Sequence, residues 1–409
     1  MTDLAEQERL SRELADGPLR DEMFPELVAQ ERAARQAERP PAQEASTPGY
    51  RLRFTGDGRE YFRIWIVNLL LTLATLGIYS AWAKVRKTRY FWQNTRLEGH
   101  VFDYHGAPLA ILRGRILAVV LFAAYSWAFD ISRVVGLVTI GVLCVSGPWL
   151  FWKAQQFKFR NSSHRGVHFD FISGARDAYV SLLPLLLIWA ATAVSGVLLV
   201  EKGWLALTVG LSWLALFPWM HQRLKNYQHS RARYGDQQAR FQAATADFYW
   251  TYAKGVFVLL GALLAAIVVG AAFTALFYVV VKDPQYLRKG GWIAGLAVAG
   301  AMYACLWPYF SARLQRIVWN KTQLGPLRFR TTMAAGALFG LVVACVFWTT
   351  ITLGLYWPFA AIRLARYRIE SMEVLSNQPL DQIARGVIPS SAAAAGDSAA
   401  DLFGLDIGL

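Results

Sequence analysis

The sequence predicts an all-α polytopic membrane protein, in which internally repeated transmembrane helical hairpins alternate with short cytoplasmic amphipathic helices and small β-hairpins. Three observations predict this class. Hydrophobic residues make up 55% of the 409 residues, which is above the share usual in soluble globular proteins. Apolar runs of about 20 residues, long enough to cross the hydrocarbon core of a bilayer, recur along the chain. A motif of aromatic, basic and turn residues follows several of these runs, as an internal repeat would.

The first segment, residues 1–50, is rich in Glu, Arg, Ala and Gln and closes on a proline-containing stretch. It lacks the order of cations followed by an apolar run that marks a secretory signal, so we expect it to stay in the cytoplasm. Its composition predicts a disordered N-terminal tail.

The first apolar element, residues 61–83, leads into the clearest copy of the motif. It contains TLGIY at 75–79, which is followed by a basic stretch, a Gly turn at Gly99 and the alternating residues 101–104. This order predicts an apolar helix that reaches the water interface, a basic helix along the headgroups and a polar hairpin beyond it.

Three further copies begin at prolines, over residues 148–171, 218–241 and 308–329, and residues 352–367 repeat the helical part without the hairpin. A proline inside a helix removes one backbone hydrogen bond and bends the chain. We therefore expect each bend to turn its helix into the interface plane. The expected kinks are Gly77, Pro148, Pro218, Pro308, Gly354 and Pro358.

A repeat-built membrane domain is predicted over residues 51–372, with a flexible C-terminal tail at 373–409. Its six full crossings are predicted at 109–129, 134–152, 179–200, 204–220, 252–281 and 292–310. The loops on one side of these crossings are rich in Lys and Arg, and the positive-inside bias predicts that this side is cytoplasmic.

The apolar elements 61–83 and 333–359 allow two interpretations. A single crossing by each would put the N-terminal tail and the cluster Arg363, Arg366 and Arg368 outside, against the charge bias. We therefore favour re-entrant or kinked elements that begin and end on the cytoplasmic side and pack against the middle hairpins. Two plain crossings remain the alternative.

The motif letters TLGIY, WAKVRKxRYFW and NTxLxGxxFxY, read from residues 75–104, resemble the YjgN-type family of bacterial inner-membrane proteins, a family of unknown function. The resemblance covers roughly Arg51 to Met372. It implies a multi-pass protein of the bacterial inner membrane. It implies no reaction, ligand or catalytic residue.

The candidate binding residues are cations that follow the apolar runs and would meet anionic headgroups. They are Lys84, Arg86, Arg89, Lys153, Arg223, Arg313, Arg316, Arg363 and Arg366. The aromatic residues expected at headgroup depth are Tyr79, Trp82, Trp149, Trp219, Tyr309, Tyr356 and Phe359. One interpretation is an anchoring belt of aromatic and basic residues. The other is a specific site for a lipid or polyanion formed by convergent repeats.

Several kinds of site are disfavoured. The net charge of +14 would suit nucleic acid, but the cations cluster directly after apolar runs, so no nucleic-acid partner is predicted. No metal site or cofactor is predicted, although four histidines lie in the first two hairpins: His100, His105, His164 and His168. Asp103 and Asp170 occupy matching places there, and we expect them to cap or pair with nearby Arg. No catalytic spacing is found, so the chain is not predicted to be an enzyme.

Two function classes remain. The leading one is passive transport or a channel-like role, because internally repeated hairpins could surround a lumen. The helix interiors contain almost no ionisable groups, which disfavours an ion-coupled transporter. The alternative is an envelope scaffold or lipid-organising protein whose basic cytoplasmic face binds anionic headgroups of membrane lipids. One interpretation of the acidic and apolar residues 401–409 is a docking peptide for a protein partner, and the other is an unstructured chain end.

Overall fold

The computed structural model describes residues 49–198, 203–281, 284–376 and 378. The predicted N-terminal tail, apart from its last two residues, and most of the predicted C-terminal tail lie outside these described residues. The predicted docking peptide at 401–409 lies outside them as well.

Ten helices and eleven short strands form the described part of the chain. The helices are α1 (Gly58–Ala74), α2 (Ser80–Gln93), α3 (Pro108–Ile131), α4 (Arg133–Arg160), α5 (Ala175–Leu198), α6 (Gly203–Ser230), α7 (Thr245–Val281), α8 (Pro284–Asn320), α9 (Ala335–Ile351) and α10 (Trp357–Glu370). The strands are β1 (Gly49–Arg51), β2 (Arg53–Phe54), β3 (Thr95–Leu97), β4 (His100–Tyr104), β5 (Ser162–His164), β6 (Val167–Phe171), β7 (Ala232–Tyr234), β8 (Gln237–Phe241), β9 (Thr322–Leu324), β10 (Leu327–Thr331) and β11 (Met372–Leu375).

All eleven strands belong to one antiparallel sheet, in the order β1-β11-β10-β9-β8-β7-β6-β5-β4-β3-β2. Its two edge strands, β1 and β2, are separated in sequence only by Leu52, whose N–H donates to the Met372 carbonyl at 3.3 Å. The extended segment 49–54 therefore pairs with β11 through its first half and with β3 through its second. The sheet is a nearly closed barrel.

The hairpin turns explain why these short strands form. In the β3–β4 turn, Glu98 and Gly99 both have positive φ, 51° and 80°, and Arg165 and Gly166 repeat this pair in the β5–β6 turn with φ of 53° and 77°. Two central residues with positive φ make a type I′ turn, whose twist matches that of the strands it joins.

Every helix pair meets the same rim of this barrel. The helices α1, α3, α5, α7 and α9 each begin after a three-residue link from a strand, and α2, α4, α6, α8 and α10 each end one residue before the next strand. Because the strands alternate in direction, these junctions all fall at one rim. The hairpin turns lie at the other.

The all-α prediction is wrong. The hairpins, predicted as small separate units, pair edge to edge through contacts such as Phe102 opposite His164 and Phe169 opposite Tyr234. An isolated two-stranded hairpin is marginal in water and leaves unpaired N–H and C=O groups along both edges. Joining the hairpins satisfies those groups.

The predicted short amphipathic helices are also only partly present. α2 and α10 are separate helices, but the other basic segments are the ends of α4, α6 and α8, which continue through Pro148, Pro218 and Pro308. A proline removes one backbone hydrogen bond, and the helix on either side of each of these prolines is still formed.

Four helices in the described part are long and apolar enough to cross a membrane: Pro108–Ile131, Arg133–Arg160, Ala175–Thr192 and Thr245–Ala272. Only 11% of the most apolar stretch of α3 is buried by the rest of the chain. Exposed apolar surface of this extent is typical of membrane association. The predicted crossings 204–220 and 292–310 fall on α6 and α8, where some side chains lie outside the described residues, and they stay predictions.

The first and last apolar elements each form a helix pair rather than one helix. α1 and α2 are joined by a turn at 75–79, and α9 and α10 by a turn at 352–356. Gly77 and Gly354 lie in these turns with φ of +92° and +93°. Both ends of each pair lie at the barrel rim, as a re-entrant element requires. Entry into lipid stays a prediction.

Candidate functional site

A cavity of about 490 Å³ occupies the barrel and opens between the helices at its rim. Its wall consists of stacked layers, because inward-facing residues recur at every second position of a strand. The tip layer, nearest the hairpin turns, is Leu97, His164, Tyr234, Leu324 and Val374. The two middle layers are Leu52, Phe102, Phe169, Ala239 and Phe329, and then Thr95, Ser162, Ala232, Thr322 and Met372.

The helix-end layer closes this wall at the rim. It is formed by the last turns of α2, α4, α6, α8 and α10, through Trp92, Phe159, His229, Trp319 and Ile369. Three of these residues are aromatic and one is aliphatic. The lumen is therefore apolar along most of its length.

Six cations also line the cavity, and no Asp or Glu does among its described lining residues. Four of them lie on helices at the rim and are called here the basic mouth: Lys84, Lys87, Lys158 and Arg368. The other two, Arg165 and Arg233, lie on the hairpins and pair with Glu98 (2.5 Å) and Asp170 (3.1 Å), which do not line the cavity. Charge of one sign between apolar walls focuses the field on the space between them.

Two buried histidines face this apolar lumen, and each is 5% exposed. Burial, and then the charges of Lys225 and Lys158, lower the pKa of His229 to about 3. Burial, and then Arg165 and His100, lower the pKa of His164 to about 4, against a smaller opposing effect of the Leu97 carbonyl. Both rings are neutral at pH 7.

Of the nine predicted headgroup-binding cations, only Lys84 lines the cavity. Arg89, Arg316 and Arg366 donate to backbone carbonyls of Tyr104 (3.2 Å), Met333 (2.8 Å) and Gly56 (2.9 Å), each of which precedes another helix. These three guanidinium groups hold helix ends to neighbouring loops.

The other five predicted cations lie outside the cavity. Lys153, Arg223 and Arg363 lie over the rings of Trp152, Trp219 and Tyr356, at 4.1, 5.1 and 5.6 Å from the ring centroids. Arg86 and Arg313 are exposed on α2 and α8. A role at lipid headgroups stays a prediction for these residues.

The predicted interface aromatics stack mainly on one another. Tyr79 stacks on Trp82 (6.1 Å) and Tyr356 on Phe359 (5.6 Å), while the Tyr309 hydroxyl donates to the Thr251 carbonyl at 3.1 Å. Trp219 carries the Arg223 contact described above, and Trp149 is exposed on α4. Pro358, a predicted kink, lies instead in the first turn of α10, where the missing N–H costs nothing.

Five cavity cations and the buried histidine of the helix-end layer were not predicted as site residues. The missed cations are Lys87, Lys158, Arg165, Arg233 and Arg368. The sequence contained one signal for His229. It follows a basic stretch at the position that Trp92, Phe159 and Trp319 occupy at the ends of the corresponding helices. The predicted pairing of Asp170 with arginine is confirmed, because Arg160 and Arg233 both bind it, whereas Asp103 accepts from Gln93 (3.1 Å) instead.

Comparison with known proteins gives a family but no activity. The family described as "Bacterial protein of unknown function (DUF898)" matches residues 49–402. Inner membrane protein YjgN of Salmonella typhimurium is 27% identical over 394 residues, which cover 83% of this chain and 95% of that protein. Inner membrane protein YjgN of Escherichia coli K12 is 31% identical over 134 residues, 31% of this chain and 32% of that protein. No solved structure matches.

Proposed function

This chain belongs to the DUF898 family, as its motifs predicted, and from that premise we propose that it binds anionic amphiphiles of the membrane inside its barrel cavity. The observation that carries the proposal is the cavity wall, which combines apolar layers with six cations and no carboxylate among its described lining residues. Relatives named as inner membrane proteins and the long apolar helices of this chain support a source of such ligands in the bilayer.

The two kinds of lining residue suit the two ends of an acidic lipid. The layers around Phe102, Phe169 and Phe329 suit an acyl chain, each methylene of which contributes about 0.8 kcal/mol when it leaves water. The basic mouth suits a phosphate or carboxylate, because hydrogen bonds to a charged partner contribute about 1.5–3 kcal/mol each. The chain would supply most of the affinity, and the cations would select the charge of the headgroup.

Passive transport or a channel-like role, the leading prediction from sequence, has less support as a route for ions. A hydrated ion would have to pass the helix-end layer, where Trp92, Trp319 and Ile369 face the lumen. Apolar constrictions exclude water and the ions that it carries. An acyl chain meets no such barrier, so the lipid-binding alternative is preferred, with the cavity rather than the outer basic face as its site.

We further propose a multi-pass arrangement in the inner membrane with the barrel on the cytoplasmic side. The clustering of cations at the barrel rim supports this orientation. Glu98→Cys at the exposed β3–β4 turn tests this orientation. The three native cysteines are changed to serine in the same chain. An impermeant thiol reagent should label this site only after the cells are opened, and labelling of intact cells would reverse the orientation.

Lipid binding to the full-length protein in detergent tests the main proposal. Native mass spectrometry would compare dioleoyl phosphatidylglycerol with dioleoyl phosphatidylcholine, which have the same acyl chains. We expect at least about tenfold preference for the anionic lipid, and a loss of about tenfold in its affinity in a Lys84→Gln, Lys87→Gln double variant.

The matched control is Lys254→Gln, since the Lys254 ammonium lies over the Trp250 ring at 5.0 Å and does not line the cavity. This variant should bind the anionic lipid as the unchanged protein does. Equal binding of both lipids, or an equal loss in the control, would show that the cavity is not the site.

A further inference from the structure

His229 is a polar residue in an otherwise apolar layer. Its ring stacks against Phe241 at 5.7 Å and meets the edge of Trp319 at 5.4 Å. Phenylalanine or leucine would fill such a place without placing polar atoms in an apolar setting, which is unfavourable unless they are hydrogen-bonded. The ring nitrogens therefore need partners.

One ring nitrogen has a partner, and this assigns the tautomer. The Thr322 hydroxyl donates to the Val318 carbonyl at 2.6 Å, so a lone pair of its oxygen is left to accept from His229 Nδ1, 3.4 Å away. With the proton on Nδ1, the neutral ring has a lone pair on Nε2. This atom is buried and has no hydrogen-bond partner in the described part of the chain.

The neighbourhood of His229 indicates what could bind there. The lowered pKa keeps the ring neutral, so Nε2 can accept a hydrogen bond but cannot attract an anion by charge. Lys158 is close enough to contribute to that shift, and it belongs to the basic mouth. An acidic group at the mouth would therefore lie near His229, and the ring would accept from a donor on the same ligand.

We propose that the ligand of this cavity carries a hydroxyl beside its acidic group, as a polyol phosphate does, and that His229 Nε2 accepts a hydrogen bond from that hydroxyl. This inference rests on the proposed function and adds a headgroup chemistry to it. The polyol phosphate could be a lipid headgroup or a free molecule, and the experiment separates the two.

Two lipids of equal charge and equal acyl chains test the inference on the unchanged full-length protein. Dioleoyl phosphatidylglycerol has hydroxyl groups next to its phosphate, and dioleoyl phosphatidylmethanol has none. We expect the first to bind about threefold to tenfold more tightly, which is the range for one neutral hydrogen bond. His229→Phe should remove this preference, so that the two lipids bind with equal affinity. His164→Phe, in the tip layer away from the mouth, should keep the preference.

The outcomes separate the inference from the function on which it rests. Equal binding of both anionic lipids by the unchanged protein would overturn the hydroxyl inference and leave anionic-lipid binding intact. Failure of both to bind would overturn the proposed function. Glycerol 1-phosphate is added as a competitor. If it does not displace the bound lipid, the result supports a lipid ligand. Competition at concentrations equal to the lipid would keep the hydroxyl inference and replace the lipid by a free polyol phosphate.

Discussion

Asp170 joins two strands and a helix end through its carboxylate. Arg160 Nε lies 2.8 Å from one oxygen and an Arg233 terminal nitrogen lies 3.1 Å from the other, while the Asp170 side chain is 8% exposed. Removing one partner of a buried ion pair leaves the remaining charges without compensation. The stability of the sheet should therefore depend on this carboxylate.

We predict that Asp170→Asn lowers the free energy of unfolding by about 2–3 kcal/mol. Asp103→Asn is the matched control, because the Asp103 side chain is 35% exposed and should cost less than about 1 kcal/mol. Denaturant unfolding in detergent measures both. Equal losses of stability in the two variants would mean that the buried ion pairs of Asp170 contribute no more than the exposed contacts of Asp103.

His164 and His229 predict a loss of stability in mild acid. Unfolded, each ring binds a proton near pH 6.5, whereas folded it does so only near pH 4 and pH 3. Between these values the unfolded chain binds more protons, so the free energy of unfolding falls as pH falls, by up to about 1.4 kcal/mol per pH unit and ring. Unfolding measured from pH 7.5 to 5 should show a steeper loss in the unchanged protein than in His164→Phe, His229→Phe. Parallel curves would refute the burial of neutral rings.

Sequence patterns predict which residue types a site contains more readily than they predict which way each side chain points. Clusters such as Lys84 to Arg89 were visible as basic stretches. Within about one turn of the same helix, however, Lys84 and Lys87 face the cavity, whereas Arg89 donates to the Tyr104 carbonyl. Which of these side chains faces the cavity depends on the positions of strands that lie 15 or more residues away in the sequence. The cavity cations were therefore only partly predictable.

At the scale of elements, the turns at 75–79 and 352–356 reverse the first and last helix pairs. Both place a leucine at φ of 50° before a glycine above φ of 90°, and Leu76 and Leu353 are 95% and 93% exposed. Such glycine φ values lie in a region that side chains with a Cβ rarely adopt. Glycine is therefore required by the backbone conformation of the turn, and not by a contact with a neighbouring side chain.

Gly77→Ala should lower the free energy of unfolding by about 1–2 kcal/mol. Gly141→Ala inside α4 is the control. At both positions an added Cβ would meet nothing within 4 Å, so only backbone conformation differs, and alanine in the helix should be neutral or stabilising. Unfolding midpoints in detergent compare the two. A Gly77→Ala protein as stable as the control would argue against the left-handed turn.

Helices and hairpins were predictable from local pattern, but their assembly into one sheet was not. Residues 95–104 alternate and contain a Gly turn, which predicts a hairpin. The partner of Phe102 is His164, 62 residues later, and nothing in the first hairpin specifies it. Pairing edges at that separation is a property of the whole chain, and the local pattern predicted isolated hairpins instead.

At the scale of the molecule, the barrel depends on a link between the two ends of the described chain. Arg51 lies opposite Glu373 across the β1–β11 pair, and their side chains meet at 2.7 Å. Directly opposed residues of antiparallel strands have Cα atoms about 4.5–5.5 Å apart, which is within the Cα range of a disulfide. Arg51→Cys with Glu373→Cys, in a chain without the native cysteines, should therefore cross-link on mild oxidation.

The cross-link is read after a protease site placed between the two positions is cut. Fragments that stay joined until reduction would support closure. Arg51→Cys with Arg328→Cys is the control, because β10 lies beyond β11 in the sheet. Joining in the control alone would contradict the strand order.

Entry of an acidic lipid into the barrel can be mapped with a photoreactive acyl chain. Phosphatidylglycerol with a diazirine in its acyl chain, reconstituted with the full-length protein and irradiated, would be mapped by peptide mass spectrometry. We expect adducts on the lumen strands that carry Phe102, Phe169 and Phe329, and fewer of them in the Lys84→Gln, Lys87→Gln variant. Adducts confined to the exposed faces of α3, α5 and α7, and unchanged in that variant, would show that the lipid does not enter the barrel.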